Sequence, residues 1–167
     1  MKNTEITISL SVNSIVDSIL ALSALARTRR GDSGASSVSV PRLLCRREAP
    51  ALGRMAAQAF GVLAVELMPY VLQSEVDDPE NPAILSLELK PDLCFSDGGT
   101  ARIGELLEGA VMAEVFRRLW ADVDLRRAAS YAAMARESIE LLVLRLRGVA
   151  SSAHPGVRAM PWGAWSW

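Results

Sequence analysis

Polar and apolar residues alternate through the first stretch of the chain. In "EITISLSV", Ile6, Ile8, Leu10 and Val12 fall on one face and Glu5, Thr7, Ser9 and Ser11 on the other, the two-residue period of a half-buried strand. Asn13 and Ser14 end it. The period then lengthens: Ile15, Ile19, Leu22 and Ala26 recur at helical spacing, and Ser14 with Asp17 resembles a capping box. Arg27, Arg29 and Arg30 bring positive charge to the carboxyl end, where a helix dipole favours it. A second alternation, "AILSLELKPD", sets Leu85, Leu87 and Leu89 against Ser86, Glu88 and Lys90 and stops at Pro91, which cannot donate to a ladder. This strand needs a partner. The amino-terminal strand or a strand of another subunit would serve.

Three further stretches carry the helical period. From Arg42 to Ser74, Ala56, Phe60, Leu63, Leu67 and Val71 form an apolar stripe with Met55, Ala59 and Val62 beside it. Within it Pro50 suits a first helical position, whereas Pro69 predicts a kink, because an interior proline removes one backbone bond and clashes with the preceding turn. After "SDGGT", with Thr100 as a cap, Ile103, Leu106, Leu107, Ala110, Ala113 and Phe116 lead to Trp120. "DVD" interrupts. A last helix from Leu125 places Ala128, Ala132, Ala135, Ile139, Leu142 and Leu146 at alternating steps of three and four, a seam whose small residues let a second helix approach closely. Arg145, Arg147 and Gly148 close it. The expectation is an α+β fold, mostly α: a bundle of about four helices with a small two-stranded β element. It forms a single domain over 1–148, includes a Gly/Ser loop over 31–41, and is followed by an irregular Trp-rich tail over 149–167.

Composition narrows the function classes. A chain of 167 residues with 50% apolar content is long enough to bury a core. Its net charge of -1 supplies no global field to draw in nucleic acid or an anionic membrane. Residues 56–72 are apolar but contain Gln58, Glu66 and Pro69 and fall short of a span of about 20 residues, so no membrane partner is expected. The apolar run before Arg27 lacks a basic leader and contains Asp17, which argues against a secretory signal. Cys45 and Cys94 belong to no CxxC or Cys/His cluster and read as packed thiols in a reducing compartment.

Candidate chemistry is sparse. His154 is the sole histidine, remote in sequence from both cysteines, so no catalytic group, cofactor, metal or small-molecule substrate is expected. "SDGGT" lacks the lysine of a phosphate-binding loop and reads as a turn with a helix cap. The acidic "EVDDPENP" lacks calcium-loop spacing and reads as a solvated connection. Glu105 with Glu108, and Glu137 with Glu140, read as exposed helix positions. Arg42, Arg46 and Arg47, continued by Arg54, make a basic face. With no helix-turn-helix and no stacking aromatics beside it, a solvated or acid-pairing role is preferred to nucleic-acid contact.

The chain closes on "PWGAWSW". Trp162, Trp165 and Trp167 are three of four tryptophans in a sequence that is 5% aromatic. Indoles in such numbers need shelter, either on the chain's own core or in a groove of a neighbour, where tryptophan is a favoured anchor. Trp162, Trp165, Trp167, Arg42, Arg46 and Arg47 are therefore the candidate interface residues.

One resemblance bears on this expectation. "LSLELKPD", a loop, and then "VMAEVFRRLWADVDLRRAASYAAMARESIELLVLRLR" resemble small helical structural proteins of tailed phages and prophages. In these a strand ending in proline leads to a long helix with an aromatic residue before a break, then a Tyr- and Ala-containing helix. Trp120, Tyr131 and Ala135 occupy comparable places, and the likeness covers about residues 83–147. It implies a non-enzymatic head-tail connector or tail assembly protein, found in the virion or in host cytoplasm during assembly, that joins copies of itself or other virion proteins. The long Gly/Ser loop and the Trp-rich tail depart from that pattern. The alternative is an intracellular regulatory or adaptor bundle that binds a partner helix or small molecule.

Overall fold

A computed structural model describes residues 5–28, 44–92 and 97–148. Its elements are β1 (Ile6–Ser11), α1 (Val12–Thr28), a 3-10 turn (Arg46–Glu48), α2 (Ala49–Glu66), β2 (Val71–Val76), β3 (Ile84–Leu89), α3 (Asp97–Trp120) and α4 (Leu125–Leu146). Four α-helices accompany a small antiparallel sheet, so the α+β, mostly α class holds.

The sheet has three strands rather than two, in the order β1-β3-β2. β1 and β3 pair as expected, with Ile6 opposite Leu89, Ile8 opposite Leu87 and Leu10 opposite Leu85. All six of these side chains are buried, and the polar alternates Thr7 and Ser9 remain exposed. The additional strand, Val71–Val76, comes from the end of the stretch expected to be helical. Pro69 accounts for the difference. In a continuing helix its nitrogen would have to donate to the Val65 carbonyl, and it has no N–H to give. The helix instead tightens: the Leu67 N–H still reaches Leu63 O at 3.0 Å, but the Met68 N–H bonds Val65 O at 3.1 Å, a three-residue step. The Tyr70 N–H then bonds Leu67 O at 2.8 Å, and the chain turns into β2. Pro69 ends the helix instead of kinking it.

Two helix starts also lie upstream of their expected positions. α1 begins at Val12, with the Ser14 N–H donating to Ser11 Oγ at 3.4 Å, so Ser11 rather than Ser14 is the cap. α3 begins at Asp97, so Thr100 lies inside it. α2 has Pro50 in its first turn, where the missing donor costs nothing. α4 starts at Leu125, with Asp124 Oδ1 accepting from the Arg126 and Arg127 N–H groups at 3.0 and 3.1 Å. It ends as its sequence suggests: Gly148 adopts φ 69°, a left-handed conformation that glycine takes without a Cβ clash.

α3 is the central helix. Every residue from Gly109 to Phe116 is buried, as expected for a helix covered on all sides. It packs against α4 along the alanine-rich seam, where Ala128, Ala135, Ile139, Leu142 and Leu146 are buried. Only Leu125, the first position of that seam, is exposed. α2 and β1 cover other parts of α3. At the amino-terminal half of α2, a Cβ on Gly53 would stand 3.3 Å from Val12 Cγ1, so glycine allows a tight approach to the junction of β1 and α1.

Candidate interaction surface

The corner where α2 passes into β2 also receives the ends of β3 and α4. Tyr70 sits at its centre. Its carbonyl accepts from the Lys90 N–H at 2.8 Å, and its hydroxyl accepts from Arg147 Nε at 2.8 Å. Nearby, the Asp92 N–H bonds Leu146 O at 3.0 Å. Three segments distant in sequence, the α2–β2 junction, the end of β3 and the end of α4, are thus tied together at one corner.

Beside this corner runs an exposed apolar stripe. Val62 and Val65 lie one turn apart on the outer side of α2, and the three-residue step at Val65 sets Met68 above them, because residues three apart eclipse in such a turn. The side chains are 45%, 63% and 64% exposed, and Leu72, at the start of β2, is 50% exposed. Leu72 occupies an irregularity in the β2–β3 register, between the pairs Val71 with Leu89 and Gln73 with Glu88. Single exposed apolar residues are ordinary, but several in succession along one element form a patch that calls for cover. The periodic reading of 42–74 placed Val62 beside the buried stripe and thereby concealed this surface. The signal that could have revealed it is the apolar residue on both sides of the helix: a stripe at Ala56, Phe60, Leu63 and Leu67 uses one face, leaving Val62 and Val65 on another.

Of the six candidate interface residues, Arg42, Trp162, Trp165 and Trp167 lie outside the described residues. Arg46 and Arg47 lie in the 3-10 turn before α2 and are exposed, as is Arg54 on α2. Neither Arg46 nor Arg47 has an ion-pair partner among the described residues. The nearby Glu48 carboxylate is engaged by the Cys45 backbone N–H at 2.9 Å.

A polar cluster that the sequence pattern does not single out lies where α3 meets α2. Glu114 is 7% exposed on the central helix and accepts from Arg117 Nε and Nη2 at 2.6 and 2.7 Å and from Arg118 Nε at 3.0 Å. Arg118 Nη1 then donates to Gln58 Oε1 on α2 at 3.1 Å. The bond from Arg117 is the main reason the Glu114 carboxyl is held below its ordinary value, against the opposing effect of burial. The spacing of Glu114 to Arg117 and Arg118, three and four residues, is legible as a helical ion pair. Its burial and the reach to Gln58 are tertiary and are not. The arrangement clasps α2 to α3. Further along, Arg127 lies over the Trp120 ring at 4.6 Å and Phe116 stacks on Tyr131 with centroids 5.1 Å apart, contacts that fasten the α3–α4 hairpin.

The remaining candidates have local roles. Asp77 Oδ1 accepts from the Asp78, Ala83 and Ile84 N–H groups at 2.9, 3.0 and 3.1 Å, so the acidic "EVDDPENP" stretch closes the β2–β3 hairpin. These backbone bonds, Ile84's foremost, lower the Asp77 pKa. Glu105 pairs with Arg102 at 2.6 Å on the surface, and Glu137 and Glu140 are exposed. Among the described residues no group of His, Cys, Asp or Glu is gathered to hold a metal, and no helix is long and apolar enough to cross a membrane. No protein-family model, curated protein or solved structure matches the chain.

Proposed function

We propose that this chain is a non-enzymatic structural component of a phage or prophage particle, a head-tail connector or tail assembly protein that self-associates or bridges neighbouring subunits. The observation that carries this reading is the exposed stripe of Val62, Val65, Met68 and Leu72 beside the edge of β2 that pairs with no strand among the described residues. Apolar surface next to unpaired backbone groups suits a protein–protein contact better than a reaction, which needs convergent polar groups in a recess.

The segment that resembles phage structural proteins spans the consecutive elements β3, α3 and α4. Trp120 closes the first helix of that segment, and Tyr131 and Ala135 lie on the second. In an assembly, the exposed Arg46 and Arg47, with Arg42, would meet acidic surface on a neighbour, and Trp162, Trp165 and Trp167 would supply apolar anchors.

Sedimentation of the full chain over a range of concentrations tests the proposal. The expected result is a mass that rises to a defined multiple of the protomer and falls when the three terminal tryptophans are changed to alanine. A protomer mass at every concentration, in the presence as well as the absence of head and tail structural proteins, overturns it.

A further inference from the structure

We infer that, in the unassembled chain, the stripe formed by Val62, Val65, Met68 and Leu72 is the dock for the chain's own carboxyl-terminal segment, 149–167, through Trp162, Trp165 and Trp167. The starting observation is where that segment leaves the fold. α4 ends at Gly148, whose positive φ breaks the helix, and the preceding Arg147 is bonded to Tyr70 at 2.8 Å. Tyr70 lies two residues from Met68 and two from Leu72 in the turn bearing the stripe, and the Val71 N–H reaches back to Met68 O at 3.4 Å. The bond between Asp92 and Leu146 fixes the same corner from the β3 side. The segment with the greatest need of apolar shelter therefore departs beside the largest run of exposed apolar side chains among the described residues.

Reach and charge agree with this assignment. Trp162 is the fourteenth residue after Gly148, which permits a span of up to roughly 46 Å at full extension. The far end of the stripe, Val62, lies only about 9 Å of helix rise from Met68, so all three indoles can meet it. Glu66 is exposed at the border of the stripe, and the segment carries a cation of opposite sign, Arg158, four residues before Trp162. Tethering also favours the chain's own segment over a separate molecule, because it presents the indoles at a high effective concentration. Exchanging this contact between copies would give an assembly without any new surface, as in domain swapping. The docked state in the isolated chain does not depend on such exchange.

The test uses the full chain diluted until sedimentation gives a protomer mass. Indole emission is expected to be blue-shifted and poorly quenched by acrylamide, since Trp120 is buried in the core and the other three would be sheltered. Val65→Asp with Met68→Asp places charge on exposed positions that the core does not need, and is expected to shift emission to the red and increase quenching while leaving the far-ultraviolet circular dichroism unchanged. Val123→Asp, at the α3–α4 turn, is expected to change neither. As a reciprocal reading, the Met68 methyl resonance is expected to move when Trp162, Trp165 and Trp167 are replaced by alanine. Emission and methyl resonance that ignore these substitutions overturn the assignment. So does a blue shift that develops only as protein concentration and mass rise together, which would give the stripe to the tail of a second copy. Because docking is read from a protomer and assembly from mass at high concentration, either can fail while the other stands.

Discussion

β1 and β2 hydrogen-bond to opposite sides of the same strand, yet they belong to different parts of the molecule. β1 pairs with β3 residue for residue from Ile6 to Ser11 and buries every second side chain. β2 slips by one at Leu72 and buries none fully: Val71 and Val76 at its ends are half-covered and the four residues between them are exposed. One strand is held by the core, whereas the other is held chiefly by its ladder and by the turns at its two ends. The difference separates the part of the sheet that makes the fold stable from the part available for contact, since loss of a solvent-exposed strand removes little buried area.

Substitution within β1 should produce the largest effect. Ile8 is buried opposite Leu87, and Gly104 of α3 stands against its Cγ2, with a hypothetical Cβ 3.7 Å away. Ile8→Ala removes three carbons from this contact and leaves a cavity that close packing cannot wholly fill, so the expected loss is about 2–5 kcal/mol. Chemical denaturation of the two proteins measures it. A loss no greater than that for a change in β2 would remove the distinction between the strands.

The same contrast governs what was legible in the sequence. β1 and β3 could be read because one buried face imposes strict alternation, and Leu85, Leu87 and Leu89 announce theirs plainly. β2 could not, because "VLQSEV" has no consistently buried face and follows a helical pattern whose break at Pro69 reads equally well as a kink. The consequence of Pro69 depends on whether the chain beyond it has somewhere to go. Here the central strand β3 offers an unpaired side, and Tyr70 is captured through its carbonyl by Lys90 and through its hydroxyl by Arg147. The α4 seam was legible down to its individual alanines, since it describes contact with one neighbouring helix. For the candidate surface, Arg46 and Arg47 read as part of a solvated or acid-pairing basic face and are exposed; the apolar stripe is legible only as apolar residues on a second side of α2, which the dominant stripe at Ala56, Phe60, Leu63 and Leu67 masks.

An intermediate effect is expected at the hinge of β2 and β3. Asp77→Ala removes the acceptor for three backbone N–H groups, so the hairpin should open more readily and amide exchange in β2 should accelerate, with little change in β1. The effect also depends on pH. The folded-state pKa of Asp77 lies below its ordinary value, so the ionised carboxylate contributes stability above the unfolded value, and that contribution disappears as pH falls through the folded one. The melting temperatures of wild type and Asp77→Ala should accordingly differ most near neutrality and converge at acid pH. Glu114, whose pKa is lowered too, is common to both proteins and cancels from the difference. A gap that persists below the carboxylate range would show that the side chain acts through something other than its charge.

The smallest effect on stability belongs to Leu72, and it is the most informative about function. Its side chain is half exposed and sits where the ladder is already irregular, so Leu72→Ser creates no core cavity and should alter the unfolding free energy by no more than about 0.5 kcal/mol. The residue nevertheless extends the stripe of Val62, Val65 and Met68 onto the edge of the sheet. If β2 serves contact rather than the core, Leu72→Ser should weaken concentration-dependent assembly in sedimentation while leaving the melting temperature unchanged. The matching exchange on the opposite edge, Ser9→Ala, should leave both unchanged. An equal loss of assembly from the two edges would mean that the sheet, rather than the stripe, makes the contact, because backbone pairing is indifferent to which side chains it carries.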